Sequence, residues 1–321
     1  MATPRKILID TDPGIDDAMA IFYALESPEL EVVGLTTIFG NAHTTTCTTN
    51  ALTLLEIAGR TDIPVAHGAE RPLAMPYRGP AGFVHGEDGQ GNVNLPAPTT
   101  RALDMDAAHF LIETVMASPG EITLVPLGPL TNIALAMLIE PRLTDNVAEI
   151  VLMGGNAFCG GNASPAAEAN ILNDPEAADL VFGASCQVVM AGLDVTEQTA
   201  MTTADLAELA TIDSDRARYL ASIVPFYAAF YRDRAGLDGI YVHDSTTISY
   251  MLAPQLFTWA EYPVRVDCAQ GVCRGKTLSA QRIADSESAW HGRRNVRILT
   301  GVDGPAAVKL ELDRMRAGAG R

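Results

Sequence analysis

The chain is short of the residues that mark a protein for a polyanion, a membrane or an oxidising compartment. Basic side chains number 22 against 39 acidic ones, and a formal net charge of −17 opposes close approach of nucleic acid or an anionic lipid surface. No apolar run reaches the ~18 residues that a membrane-crossing helix requires. The segment Met1–Lys6 leads straight into an apolar strand pattern, so no signal peptide is expected. The cysteines, Cys47, Cys159, Cys186, Cys268 and Cys273, are odd in number and lack the close pairs or His spacing of a zinc site, so they are expected as reduced thiols. No repeat of fixed period and no low-complexity tract is present. What remains is an acidic protein expected in the cytoplasm, whose charge suits a small neutral ligand or a divalent cation held among carboxylates. A surplus of acid is also the ordinary way a protein stays soluble.

What the sequence does contain is an alternation. Short β-rich runs at Lys6–Asp10, Glu31–Thr37, Ile63–Ala66, Ile122–Pro126, Glu149–Met153, Gln187–Ala191, Val264–Asp267 and Val296–Thr300 are separated by helical patterns. The clearest helices are expected at Ile15–Leu25, Thr45–Ala58, Met105–Ala117, Leu130–Ile139, Pro175–Phe182, Ser214–Ala235 and Pro305–Arg316. This order predicts an α/β fold, an open and mainly parallel central sheet with helices on both faces, in a single domain over residues 1–321. In such a sheet ligands sit beyond the carboxyl ends of the strands. Arg78–Pro98, rich in Gly and Pro with His85, Glu87 and Asp88 at its centre, is long enough to be a functional loop, and a mobile lid is the preferred reading.

The densest chemistry lies where the first strand turns into the first helix. Asp10-Thr11-Asp12-Pro13-Gly14-Ile15-Asp16-Asp17 places four carboxylates in eight residues. Like charges this close raise one another's pKa unless donors or a cation relieve them. Calcium takes ~6–8 oxygen ligands, whereas magnesium usually keeps several waters, and Asp12 and Asp17 can reach one ion across the turn. The plainer reading makes Asp12 the N-cap, followed by Pro13 at the first helical position, with acids in the first turn favoured by the helix dipole. That accounts for Asp12 and perhaps one further acid, but not for four.

Four more stretches carry unusual polar residues. Thr36–Asn41 ends in an amide after Gly40, in isolation a turn residue. Val125–Asn132 passes through Gly128-Pro129 from a strand to a helix. Gly154–Asn170 includes Asn162, Glu168 and Asn170, and Asp174-Pro175 then reads as a helix cap. Tyr241-Val242-His243-Asp244-Ser245 precedes the apolar Ile248–Leu252 pattern, where Asp244 taken alone is an N-cap. Tyr227 and Tyr231 stand four apart on one helical face, a spacing more often used for core packing.

Taken in order, Asp10–Asp17 and the stretches ending at Asn41, Asn132, Asn170 and Asp244 resemble the motifs of the inosine–uridine nucleoside hydrolase family, and the likeness spans Ile7 to Asp244. It implies hydrolysis of the N-glycosidic bond of purine or pyrimidine ribonucleosides, in a protein that is a homo-oligomer, dimer or tetramer. It implies a calcium site made by Asp12, Asp17, Asp244 and the backbone carbonyl of Leu127, beside an attacking water that Asp12 deprotonates. Asp16, Asn41, Asn162, Glu168 and Asn170 would bind the ribose, His243 would protonate the departing base, and His85, Tyr227 and Tyr231 would contact the substrate. The chain departs from the family pattern at Leu127, often threonine, at Ala169, often aromatic, and at Ser245, commonly proline. Two rivals are a magnesium-dependent phosphatase of the haloacid-dehalogenase type, which also carries an Asp-x-Asp turn, and a non-catalytic calcium- and ribose-binding module.

Overall fold

In the first strand, β1 (Arg5–Thr11), side chains leave alternate faces of the sheet, yet Ile7, Leu8 and Ile9 are all apolar. A strand written this way is covered on both sides. The computed structural model, which describes residues 3–282 and 289–319, places Ile7 and Ile9 in one core and Leu8 in a second core across the sheet. Helices Ile15–Leu25, Thr44–Ile57, Asp215–Ala235 and Gly304–Gly318 pack on the first face, and Ala107–Ala117, Thr131–Ile139 and Pro175–Val181 on the second.

The further strands are β2 (Leu30–Thr37), β3 (Val65–His67), β4 (Ile122–Pro126), β5 (Glu149–Met153), β6 (Val188–Ala191), β7 (Ala200–Thr202), β8 (Gly239–Tyr241), β9 (Phe257–Val266), β10 (Thr277–Ser279) and β11 (Asn295–Val302). Nine of them form one sheet in the order β10-β9-β11-β6-β5-β4-β1-β2-β3, and β7 and β8 form a separate antiparallel pair. Every pairing from β3 across to β11 is parallel, as the alternation of strands and helices predicts. Beyond β11 the sheet turns antiparallel through β9 and β10. The run expected at Val264–Asp267 is only the end of the ten-residue β9, whose earlier residues alternate poorly and include Pro263, a residue that reads as a break.

One topological feature positions the site. The chain adds β2 and β3 on one side of β1, then returns to place β4 on the other side and continues outward from there. The order therefore reverses around β1, and the connections after β1, β2 and β4 diverge to leave a crevice at their carboxyl ends. Among the described residues no helix is long and apolar enough to cross a membrane, and all five cysteines are unpaired.

Candidate active site

At the end of β1 the chain starts a helix at Ile15, and the cap is Gly14 rather than Asp12. Asp17, at the third helical position, accepts from Gly14 N at 3.0 Å and also from Thr11 Oγ1 and from Asn41 Nδ2 at 3.0 Å. The capping reading of Asp12-Pro13 thus gives way: Asp17 does the capping work, and Asp12 remains available. Its Oδ2 accepts from Asn41 N at 2.7 Å, and its buried Oδ1 has no donor among the described residues.

Asp16 is similarly placed, with Oδ2 accepting from the Tyr227 hydroxyl at 3.1 Å and a buried Oδ1 without a partner. Asp244 arrives from another part of the chain. The helix that carries it begins at His243 with Val242 as cap, so Asp244 stands in the first turn and is not the N-cap that its local sequence suggested. One oxygen each from Asp16, Asp17 and Asp244 lies within 4.8 Å of the others. Burial, then repulsion from Asp17, pushes Asp16 up to about 7, while burial and the neighbouring aspartates hold Asp12 and Asp244 well above the ordinary carboxylate range. Among the described residues no lysine or arginine pairs with these carboxylates. Uncompensated acids at this depth either take up protons or take up a cation. Orphaned oxygens on Asp12 and Asp16 beside three converging carboxylates fit a hard divalent cation with oxygen ligands.

The acidic cluster is joined to His243 by a chain of hydroxyls. Tyr227 and Tyr231, one helical turn apart, are 3.2 Å apart at their oxygens, and Tyr231 lies 2.8 Å from His243 Nε2. The four-residue spacing therefore aligns two phenols along the site as well as filling core. His85 sits in a short helix, Gly82–His85, inside the loop Arg78–Pro98, and its ring stacks on Tyr227 with centroids 5.2 Å apart. Its Nδ1 accepts from Ile15 N at 3.2 Å, so although it lies 3.9 Å from Asp16 Oδ1 it faces that oxygen with a lone pair. Burial and the nearby His243 push His85 down to about 3, which agrees with a neutral ring and not an ion pair. The loop is fastened over the turn: Gln90 Nε2 donates to Pro13 O and Gly14 O at 2.9 and 2.8 Å, and Asp88 accepts from the backbone of Gln90, Asn92 and Asn94.

The remaining expected residues are distributed unevenly. Asn41 is central, bridging Asp12 and Asp17. Leu127 is buried, and its carbonyl accepts from Asn170 Nδ2 at 2.6 Å, which brings these two together. Glu168 caps the helix Ala169–Asn173 and accepts from the backbone N–H groups of Gly155, Asn170 and Ile171. Three of the roughly four acceptor positions of its carboxylate are thereby filled. Asn162 stands apart, exposed, with its oxygen on Ala169 N at 3.0 Å.

Sequence reasoning left several contributors unassigned. Asp10 is turned inward, accepting from Thr36 Oγ1 at 2.6 Å and Asn132 Nδ2 at 2.8 Å, and so ties β1 to β2 and to the helix after β4. Gly40 and Gly128 flank Asp12 so closely that a Cβ on either would collide with its carboxylate. Both glycines stood in quoted motifs, but only the folded chain shows what lies beside them.

The family model described as inosine-uridine preferring nucleoside hydrolase matches residues 7–309. The chain belongs to that family. As a nucleoside hydrolase it is 47% identical over 314 residues to a probable uridine nucleosidase 2 of Arabidopsis thaliana, covering 97% of both chains. It is 40% identical to the inosine-uridine preferring nucleoside hydrolase of Crithidia fasciculata over 278 residues, 86% of this chain and 88% of that protein. A solved plant nucleoside hydrolase superposes with a TM-score of 0.95 at 43% identity, covering 98% of this chain and 99% of the other. This nucleoside hydrolase is an N-ribohydrolase, and the phosphatase and non-catalytic rivals give way to that assignment.

Proposed function

We propose that the enzyme hydrolyses uridine and related ribonucleosides to free base and ribose, that its cation is calcium, and that Asp12 is the base that takes the proton of the attacking water. The observation that carries this reading is the unpaired Oδ1 of Asp12, buried beside three convergent carboxylates, one of which, Asp16, is connected through Tyr227 and Tyr231 to His243. The relatives named as uridine nucleosidases support the choice of substrate.

Breaking the C–N bond builds positive charge on the ribose and negative charge on the departing base. Asp12, Asp17, Asp244 and the Leu127 carbonyl would hold the cation. When bound, calcium supplies positive charge that lowers the pKa of a nearby water and offsets the carboxylates. Asp16, Asn41 and Asn170 orient the sugar hydroxyls, and their oxygens favour a sugar that is becoming cationic. Glu168 contributes mainly by fixing the loop that presents Asn170, with Asn162 at the rim. His243, through Tyr231, provides the proton for the base, and the loop around His85 excludes water and closes on Tyr227.

A reducing-sugar assay on a nucleoside panel, with and without chelator, tests the whole reading. Ribose should appear from uridine, and chelation should stop its release until calcium is restored. Restoration by magnesium but not calcium would overturn the choice of ion, and a panel turned over without uridine would overturn the choice of substrate. In the Asp12→Ala variant turnover should fall by several orders of magnitude while nucleoside binding partly survives. Undiminished hydrolysis there would remove Asp12 from its role.

A further inference from the structure

Gly14 separates Asp12 from Asp16 in the acidic turn, and the site closes in on it. A Cβ there would come within 2.6 Å of both Asn41 Nδ2 and His85 Nδ1. The position therefore needs glycine for room, although its extended backbone, with φ −92° and ψ −161°, is open to other residues. Glycine is also the residue that turns most freely about those two bonds. At Gly14 they set how Asp12 is aimed relative to Asp16. A turn that must use glycine there has to remove its freedom by other means.

Gln90 is placed to do so. The Pro13 carbonyl precedes the φ bond of Gly14 and the Gly14 carbonyl follows its ψ bond, so the relative direction of the two carbonyls is set by those angles. Gln90 Nε2 donates to both, at 2.9 and 2.8 Å. An amide nitrogen carries two hydrogens and a carbonyl can only accept, so the nitrogen end is identified by its partners and each hydrogen has one carbonyl. The oxygen end accepts from the Tyr219 hydroxyl at 2.9 Å. Each carbonyl has a further donor, Asn50 Nδ2 for Pro13 at 3.1 Å and Ala18 N for Gly14 at 3.2 Å. What Gln90 adds is one planar group that spans both. The residue is 3% exposed, a depth at which an amide is tolerated when its bonds are made. Gly89 and Gly91 flank it at φ +73° and +68°, a left-handed conformation that glycine takes without cost. Tyr219 lies two helical turns ahead of Tyr227 on the helix Asp215–Ala235, so the same amide ties the turn to the helix whose tyrosines line the site.

We propose that Gln90 is a positioning residue of the acidic turn: by bridging the Pro13 and Gly14 carbonyls it locks the backbone of Gly14, and with it the spacing and aim of Asp12, Asp16 and Asp17. The bridge joins neutral groups and stands whichever of the neighbouring carboxylates carries a proton. Its consequence for turnover rests on the reading of Asp12 as the base and as a cation ligand beside Asp17.

The test uses the full-length enzyme, with Gln90→Met keeping the length of the side chain without its donors. Tyr219→Phe removes the bond to Oε1 and leaves both carbonyl bonds. In the Met variant kcat should fall roughly ten- to a hundredfold, the usual effect of losing a group that orients metal-binding side chains. KM should stay within about threefold, because Asn41 and Asn170 still hold the sugar. Calorimetry without substrate should show calcium bound about tenfold more weakly. Hydrogen exchange at the Gly14 and Ile15 amides should be faster than in the unaltered protein, and Tyr219→Phe should leave all of these near their unaltered values. Unchanged kcat in the Met variant would overturn the proposal, as would a fall in kcat with exchange at Gly14 and Ile15 unchanged. Should that variant not fold, the unaltered protein decides: both Nε2 hydrogens of Gln90 should exchange slowly with deuterated water, and fast exchange of either would mean that the bridge is absent. Asp12→Ala separates the two layers. Full turnover there would end the reading of Asp12, whereas faster exchange at Gly14 in the Met variant would still uphold the bridge.

Discussion

Where the helix Pro175–Val181 meets β9, acids are matched with guanidinium groups. Asp179 lies 2.7 Å from both Arg265 and Arg293, and Glu176 is held through both oxygens by Arg274. At the turn after β1 the acids are buried more deeply, yet among the described residues Asp12, Asp16, Asp17 and Asp244 have no lysine or arginine partner, and fully buried oxygens of Asp12 and Asp16 have no donor. The same chain therefore neutralises acids where they hold its layers together and leaves them bare in the crevice where the substrate is proposed to bind. Perturbed, uncompensated groups gathered in one crevice mark function because structure alone would have removed them.

The largest expected contrast is in turnover. Asp244→Asn should cut kcat by several orders of magnitude and weaken calcium binding measured calorimetrically, whereas Asp179→Asn should leave kcat unchanged. If both variants lost activity alike, the division between the two regions would fail. The next effect is on stability. Asp179→Ala strands two arginines at a partly exposed site and should cost about 1–3 kcal/mol in denaturant unfolding, less than the loss at a fully buried pair. Smaller, and opposite in sign, is Asp16→Asn in chelated protein. Removing one of the mutually repelling charges should raise the melting temperature by a few degrees, the usual stability gain at a functional site that is made inert. A lower melting temperature there would mean that the cluster is not strained without its cation.

A separate contrast, in pH dependence, concerns Glu311, a buried acid whose one hydrogen-bond partner among the described residues is Ser245 Oγ at 2.9 Å, and which burial pushes up to about 8. Its folded form keeps a proton that the unfolded chain releases near 4.5. The favourable contribution is complete below that value and is lost as pH rises through about 8. Glu311→Gln should flatten the decline in melting temperature over this window. An unaltered slope would assign the decline to other groups.

How much of this was legible in the sequence depended on the range of the signal. The sheet was readable because strands such as Ile7-Leu8-Ile9 are apolar on both faces, and because helices as long as Ile15–Leu25 show their period. The acidic turn was readable as chemistry because four carboxylates exceed what one cap can use. Its internal roles were not. Asp12-Pro13 has the local form of a cap, but a carboxylate three residues past Gly14 performs that task, and the outcome depends on Asn41 arriving from β2. Short elements escaped for a related reason. One-turn helices such as Leu193–Thr196 have no period to detect, so a buried threonine that meets a histidine 47 positions away gives no local sign.

The glycines on either side of Asp12 set a limit on how this enzyme can diversify. A methyl group at Gly40 or Gly128 would dislodge the carboxylate while every aspartate in the motifs stayed in place. If Asp12 is the base proposed above, a descendant carrying that one change would keep every carboxylate of the site and still lose turnover, so its silence would be written in a residue that has no side chain to read.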